Sequence, residues 1–229
     1  MREPLFSGRR IREPKLIQQD YLVLSKLSNL LRHNANKLFR NKKDLLILDV
    51  GCGEKPYYPF FTNYSSIYVG IDLNKTKFVD VICCAQYLPF KDHTFEIVIC
   101  TQVLEHVEAP NIVIENIFNK LKKEGFLFLS THGIWMVHPH PFDFWRWTDL
   151  GLKKLLTNFS TVEVHDCGGS VSSIIQLFNL FIPTERMKRL SFLGRLLFVF
   201  LNKTGEVLDS KYGQRGPNLI VNYLAIAKK

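Results

Sequence analysis

Leu45-Leu46-Ile47-Leu48-Asp49-Val50-Gly51-Cys52-Gly53 is the stretch on which the reading of the whole chain turns. Five aliphatic or β-branched residues around one acid make a strand apolar on both faces, the pattern of a strand in a parallel sheet covered on both sides. It stops at an acid followed by two glycines one position apart. Glycine accepts φ > 0 and lets the backbone approach a bound molecule closely, and ligands of open parallel sheets bind beyond the carboxyl ends of the strands. The turn at Gly51 and Gly53 is therefore a candidate ligand cradle; tight packing alone would also use glycine there.

Downstream, the same grammar repeats. Ile67-Tyr68-Val69-Gly70-Ile71 reads as a second strand ending in Asp72. That acid lies about twenty residues beyond the glycines, the interval at which nucleotide-binding α/β units place a carboxylate for ribose hydroxyls. Phe78–Ile82 reads as a short third strand and Phe95–Cys100 as a fourth, followed by Thr101 and Gln102. A helix over Asn111–Lys122, a turn at Lys123-Glu124-Gly125 and a fifth strand over Phe126–Ser130 come next. Strands alternating with helices predict an α/β fold, a doubly wound, mostly parallel sheet. Thr161–Val164 and Leu219–Ala227 read as the sixth and seventh strands, with a helical insertion between them.

Upstream, residues 1–14 carry four arginines and two prolines, as an extended arm would. Leucines spaced mostly three and four apart from Leu16 to Phe39 predict an amphipathic helix. The chain of 229 residues is 46% apolar with 13% aromatics, which excludes global disorder. Its net charge of +9 favours anionic partners or an acidic membrane surface, although a solvated basic face has the same composition. Five cysteines without a C-x-x-C clip indicate neither a disulfide framework nor a zinc site and fit a reducing cytoplasm. The start lacks a signal-peptide pattern, and the apolar run Phe192–Leu201 carries Arg195 and falls short of the roughly 20 residues that a spanning helix needs.

The ordered pieces Leu48-Asp49-Val50-Gly51-Cys52-Gly53, Gly70-Ile71-Asp72, Leu88-Pro89-Phe90 with Phe95-Glu96-Ile97-Val98, and Val103-Leu104-Glu105-His106-Val107 resemble the class I, Rossmann-like methyltransferases that use S-adenosylmethionine. The match covers about Leu45 to Thr131. A nicotinamide dehydrogenase would show G-x-G-x-x-G, whereas position 56 is Pro. The resemblance implies a seven-stranded sheet. It places the backbone of Gly51, Cys52 and Gly53 against the methionine part of the cofactor, Asp49 near its ammonium, and Asp72, followed by Leu73, on the ribose. Thr101 and Gln102 would line the methyl end. Relatives carry an acid before Leu-Pro-Phe for the adenine amino group. Here that position is Cys84, a poor acceptor, so the backbone of Ala85 or the side chain of Gln86 would substitute. His106 is either a helix-start residue or a substrate contact.

The acceptor side is sought in Thr131–Thr148, which leaves the fifth strand at the same edge as the cofactor turn. His132, Asp143, Trp145 and Arg146 suit a sugar, nucleotide or phosphorylated group by stacking and charge pairing. In the plainer reading, Trp145 and Trp147 anchor the core and Thr148 caps a helix over Asp149–Asn158. His138 and His140 are candidate general bases for an acceptor hydroxyl, with His106 as a third. Histidines and Asp143 are also metal-ligand types. Prolines on both sides of His140 force extended backbone and diverging side chains, so no metal is expected. Similar W-R-W/F-T stretches occur in family members that act in glycan and envelope polysaccharide synthesis.

One methyltransferase domain over 1–229 is thus expected: arm and first helix over 1–44, cofactor core and acceptor loop over 45–170, helical insertion over 171–210, last strand over 211–229. The activity expected is O-methylation of a small-molecule or carbohydrate-like acceptor. A nucleic-acid methyltransferase is disfavoured because the basic residues are scattered, and an inactive cofactor-binding partner subunit remains a rival because of Cys84. The basic amphipathic stretch 171–208 is suited to lid the core, to pair with a second copy as a homodimer, or to lie on the inner face of a membrane.

Overall fold

β1 (Leu45–Val50) forms where the aliphatic run predicts it, buried along nearly its whole length. In this computed structural model residues 8–138, 142–182, 191–212 and 218–229 are described. β1 pairs in parallel with β2 (Ser65–Asp72) on one side and β4 (Phe95–Thr101) on the other. β3 (Val81–Ile82) adds beyond β2, and β5 (Leu121–His132) beyond β4. β7 (Asn222–Lys228) then inserts antiparallel between β5 and β6 (Thr161–Asp166). The seven-stranded order is β3-β2-β1-β4-β5-β7-β6. The direction of progression reverses between β1 and β4, so a crevice opens at the carboxyl edge where the glycine turn lies.

Period-two alternation divides the strand residues between two apolar layers. Leu48, Val50, Val98, Cys100, Leu127 and Leu129 pack beneath α4 (Pro110–Lys120) and α5 (Asp149–Leu155). Ile47, Ile97, Ile99 and Phe128 pack against Leu27, Leu31, Ala35 and Phe39 of α2 (Tyr21–Phe39), with Phe61 of α3 (Tyr58–Phe61). α1 (Arg9–Arg12) is a single turn. Each fully buried Leu, Ile or Phe contributes about 1.5–3 kcal/mol by transfer from water, and this double layer fixes the sheet from which the site projects.

The other two helices are built the opposite way. α6 (Ser170–Phe181) buries Ser172, Ser173, Gln176 and Asn179, and exposes Ile174, Phe178 and Phe181. α7 (Ser191–Tyr212) buries Asn202 and exposes Phe192, Leu193, Leu196, Leu197 and Phe200. Polar bonds dock the pair: Asn179 Nδ2 donates to Asn202 Oδ1 at 2.9 Å, and Asn202 Nδ2 donates to the carbonyls of Leu16 and Gln18 at 2.7 and 2.9 Å. Among the described residues no helix is long and apolar enough to cross a membrane.

Several boundaries differ from the sequence reading. α2 starts at Tyr21, not Leu16, because Asn202 captures the carbonyls that a longer helix would use. The expected turn at Lys123-Glu124-Gly125 lies inside β5 as an irregularity, with Glu124 at φ 65° and its N–H on the Lys229 carbonyl at 3.2 Å. β3 has two residues because Asp80 turns back to take the Gly70 N–H at 2.7 Å. α5 ends at Leu155 rather than Asn158, and the helical insertion reaches Tyr212 rather than residue 210. Thr148 does cap α5, its hydroxyl accepting from Gly151 N at 3.1 Å.

Candidate active site

The glycine turn is shaped from both sides. Gly51 has φ +66°, and a Cβ there would lie 2.3 Å from Val103 Cγ2. Gly53 has φ +48°, but a Cβ there would meet no atom within 4 Å, so its bare face looks into open space. Cys52 ties the turn to β2 through its N–H on the Ile71 carbonyl at 2.9 Å. Its buried thiol is pushed up to about 12 by burial, so it packs as a neutral group.

Asp72 receives two backbone N–H groups, Gly53 N on Oδ2 at 3.1 Å and Asn74 N on Oδ1 at 2.9 Å. The carboxylate is thereby fixed at the end of β2 with lone pairs to spare for a diol. Asp49 lies beneath the turn, buried, accepting from Tyr68 OH at 2.7 Å. Burial pushes its carboxyl up to about 7, against the pull of Tyr68 and Lys55. Lys55 is itself buried and bonded to Asp80.

A cavity of about 760 Å³ opens over this turn. Of the residues singled out for the cofactor, Gly51, Gly53, Asp72, Leu73, Cys84, Ala85, Gln86 and Gln102 line it. Asp49 and Cys52 are buried at the turn beneath it, and Thr101, the last residue of β4, is not among its lining residues. The walls also include Asn74, Thr76, Cys83, Val103, Val107, Glu108, Phe142 and Phe144, which sequence reading passed over. Asn74 and Thr76 directly follow Asp72 and were legible by position. Phe142 and Phe144 reach the cavity only because their loop folds back over Glu105–Val107, which spacing does not encode. Gln102 adopts φ +56° and is held by its side-chain amide on Ser130 Oγ and Asn222 Oδ1, both at 2.9 Å. Its carbonyl oxygen Oε1 is buried with no hydrogen-bond partner among the described residues.

The loop after β5 is pinned to the sheet edge. Phe144 N donates to the Glu105 carbonyl at 2.7 Å, Trp145 Nε1 to the Val107 carbonyl at 2.8 Å, and Trp147 N to the His132 carbonyl at 3.0 Å. Arg146 grips Asp143 with two bonds, 2.5 and 2.7 Å, and donates to the Met136 carbonyl at 2.7 Å and the Trp145 carbonyl at 2.8 Å. Its guanidinium holds the Asp143 carboxyl well below the usual range. The expected charge pairing of Arg146 with an acceptor therefore gives way to a structural clasp, since its fork is engaged within the loop. Trp147 packs on the core, while Trp145 is partly exposed with its ring N–H engaged.

The histidines separate by position. His106 lines the cavity, its Nδ1 2.6 Å from the Phe142 carbonyl, which places the proton on Nδ1 and leaves Nε2 bare. His138 stands one ring behind, 5.1 Å between centroids from His106 and 5.1 Å from His132. His132 is buried, stacked on Trp135 at 4.5 Å, and burial lowers its pKa to about 3, so it is a neutral imidazole. His140 lies outside the described residues.

The profile of a methyltransferase domain family matches residues 23–161, more than half of the chain and the whole of the cofactor crevice. The chain belongs to this methyltransferase family. An uncharacterized protein of Methanocaldococcus jannaschii is 40% identical over 115 residues, 48% of each chain. A ubiquinone biosynthesis O-methyltransferase of Glaesserella parasuis is 28% identical over 120 residues, 44% of this chain and 49% of the relative. The chain thus spans about half the length of the curated relatives it matches. A methyltransferase from Archaeoglobus fulgidus described as SAM-dependent superposes with a TM-score of 0.55 at 17% identity, over 88% of this chain and 94% of that one, which bears on the fold. The residues present fit S-adenosylmethionine: the open face at Gly53, the oriented Asp72 and a cavity flanked by Leu73 and Ala85 together accommodate an amino acid, a ribose and a flat base.

Proposed function

We propose that this methyltransferase acts on a hydroxyl oxygen of a small ring-bearing acceptor, bound between His106, Phe142 and Phe144. The observation that carries the reading is the continuity of one cavity from Asp72, the ribose end, to His106 and the two phenylalanines. Asp72 would hold the ribose, Asp49 the ammonium, and the backbone of Gly51 and Gly53 the methionine chain. When bound, S-adenosylmethionine supplies an electrophilic methyl group on a sulfonium. Positioning contributes most of the acceleration of such a displacement. With that group bound, His106 Nε2 would accept the proton that the acceptor hydroxyl gives up as its oxygen is methylated. At the adenine end Cys84 leaves the base to the backbone of Ala85 and the amide of Gln86.

The aromatic pair and Val103 and Val107 suit a flat acceptor face, phenolic or sugar, and the two chemistries meet in the names of the relatives and in the W-R-W-T loop. Replacing His106 with Gln should lower turnover about 10²–10⁴-fold, the range for loss of a general base, with S-adenosylhomocysteine affinity unchanged within about twofold. Retained turnover in that variant would remove His106 as base. Absence of S-adenosylhomocysteine binding by the unaltered chain would remove the whole reading.

A second reading concerns where the protein works. The exposed Phe178, Phe181, Phe192, Leu193, Leu196 and Phe200 on helices that bury their asparagines support a face resting on an anionic membrane, consistent with the net charge of +9. Co-sedimentation with anionic vesicles, weakened by Phe192→Glu and Phe200→Glu together, is the expected result. A salt-insensitive dimer that ignores vesicles would assign this face to a second copy.

A further inference from the structure

We propose that Glu105, His132 and His138 form a binding site for a divalent transition-metal ion of the zinc class, which pins the acceptor loop to the sheet edge. One ligand atom from each of the three residues lies within 4.8 Å of the others. They come from three separate segments: the turn Leu104–His106, the last residue of β5, and the loop beyond. Prolines on both sides of His140 hold neighbours in sequence apart, whereas these three residues meet only through the fold.

The burial of Glu105 points to a ligand. Its side chain is fully buried. Oε2 accepts from Thr131 Oγ1 at 2.9 Å, but Oε1 has no hydrogen-bond partner among the described residues and faces His132 Nε2 at 3.6 Å, too far for a hydrogen bond. Arg146, whose charge is felt at Glu105, is committed to Asp143. A fully buried carboxylate oxygen with no donor among the described residues is left short of positive charge, and a dication supplies it.

The ligand chemistry and its surroundings agree. Two imidazoles and one carboxylate are a donor set used by zinc with a fourth position open. Ligands about 2.0–2.2 Å from zinc stand about 3.3 Å apart, so closing on the ion requires side-chain shifts of roughly an ångström. His138 Nδ1 lies 3.2 Å from the Met136 carbonyl and 3.4 Å from Asp143, the outer carboxylate that orients a metal-bound histidine. His106 packs against His138, so an ion here would steady the cavity wall that carries the bare Nε2.

The test uses the full chain, stripped with chelator and titrated with Co²⁺ as a spectroscopic probe, then with Zn²⁺ in competition. One equivalent of Co²⁺ with visible ligand-field bands, displaced by Zn²⁺, is expected. Glu105→Gln and His138→Ala should each weaken it by at least about tenfold, since ligand loss takes most of a site's affinity. S-adenosylhomocysteine binding by the same variants reports that they are folded and is read separately, so loss of the cofactor reading would leave the metal result standing. Wild-type protein that takes up no stoichiometric cobalt, or folded variants that bind it as wild type does, overturns the proposal.

Discussion

The two banks of the crevice are built by different means. The bank proposed to hold the cofactor, from Asp49 to Gln86, is made of strand ends and the turns that follow them, and its polar ties join segments about twenty residues apart, such as Gly53 to Asp72. The bank proposed for the acceptor, from Glu105 through Arg146, is held by ties such as Thr131 to Glu105 and Trp145 to Val107, in which a side chain finds its partner only after the sheet has formed. One bank is backbone shaped by local sequence; the other is a side-chain lattice shaped by topology. Substitutions in the first should therefore act on cofactor affinity, and those in the second on turnover and loop stability.

The comparison breaks most sharply at the glycines. Gly51→Ala forces a positive φ and a 2.3 Å approach to Val103 together, and should cost about 2 kcal/mol or more of stability along with measurable S-adenosylhomocysteine binding. Gly53→Ala meets no protein atom. It should cost about 1 kcal/mol or less in the fold, yet weaken the cofactor about tenfold or more, because its methyl enters the cavity. Thermal melts and calorimetric titration of the pair decide it: equal effects on folding and binding in both would show that the open face at Gly53 is not occupied by cofactor.

The carboxylates come next. Asp72→Asn keeps the shape but loses charged acceptance, and a fall in affinity of about 10–100-fold is expected from the worth of a hydrogen bond to a charged group. On the other bank, Arg146→Ala removes the clasp on Asp143 and leaves its buried carboxylate without its permanent counter-charge, held by the His138 N–H. The expected loss is about 3 kcal/mol or more in stability together with turnover, while S-adenosylhomocysteine affinity stays within about twofold. An Arg146→Ala protein that loses cofactor affinity first would merge the two banks into one.

The same division explains what could be read from the chain beforehand. Strand identity, the glycine turn, Asp72 and the sequence from Leu88 to Val107 are local patterns of period, acid and glycine; β1, β2, β4 and β6 fall within two residues of expectation, while β3, β5 and β7 begin three to five residues away from it. The antiparallel insertion of β7 between β5 and β6 has no local signature, since Asn222–Lys228 is apolar on both faces wherever it lands. Arg146 looks like a substrate clamp until Asp143 is found three residues away on the same loop. Glu105 and His132 carry no mark of proximity at a separation of 27 residues; β4 and β5 pairing brings them to one edge. Phe178 and Phe200 lie in the stretch that suits a lid, a dimer face or a membrane face, but Asn179 binds Asn202, which binds the carbonyls of Leu16 and Gln18, turning the apolar faces outward.

The smallest effect tests the point where the two banks meet, at Asp49. Burial raises this carboxyl from 3.8 to about 7, so the folded, cofactor-free protein holds a proton here that the unfolded chain has released by neutral pH. The stability from this raised value is fully present below pH 3.8 and is lost as pH climbs through about 7. Cofactor binding runs the other way. An ammonium placed over Asp49 favours the ionised form, so S-adenosylhomocysteine affinity should rise from pH 6 to pH 8 by up to about tenfold, with a fraction of a proton released per binding event. Titrations in two buffers of different ionisation enthalpy measure that proton directly. Asp49→Asn should flatten the affinity profile and abolish the release. A release that persists in the variant would move the ammonium away from Asp49 and leave that residue, with Tyr68 and Lys55, as a buried prop under the glycine turn.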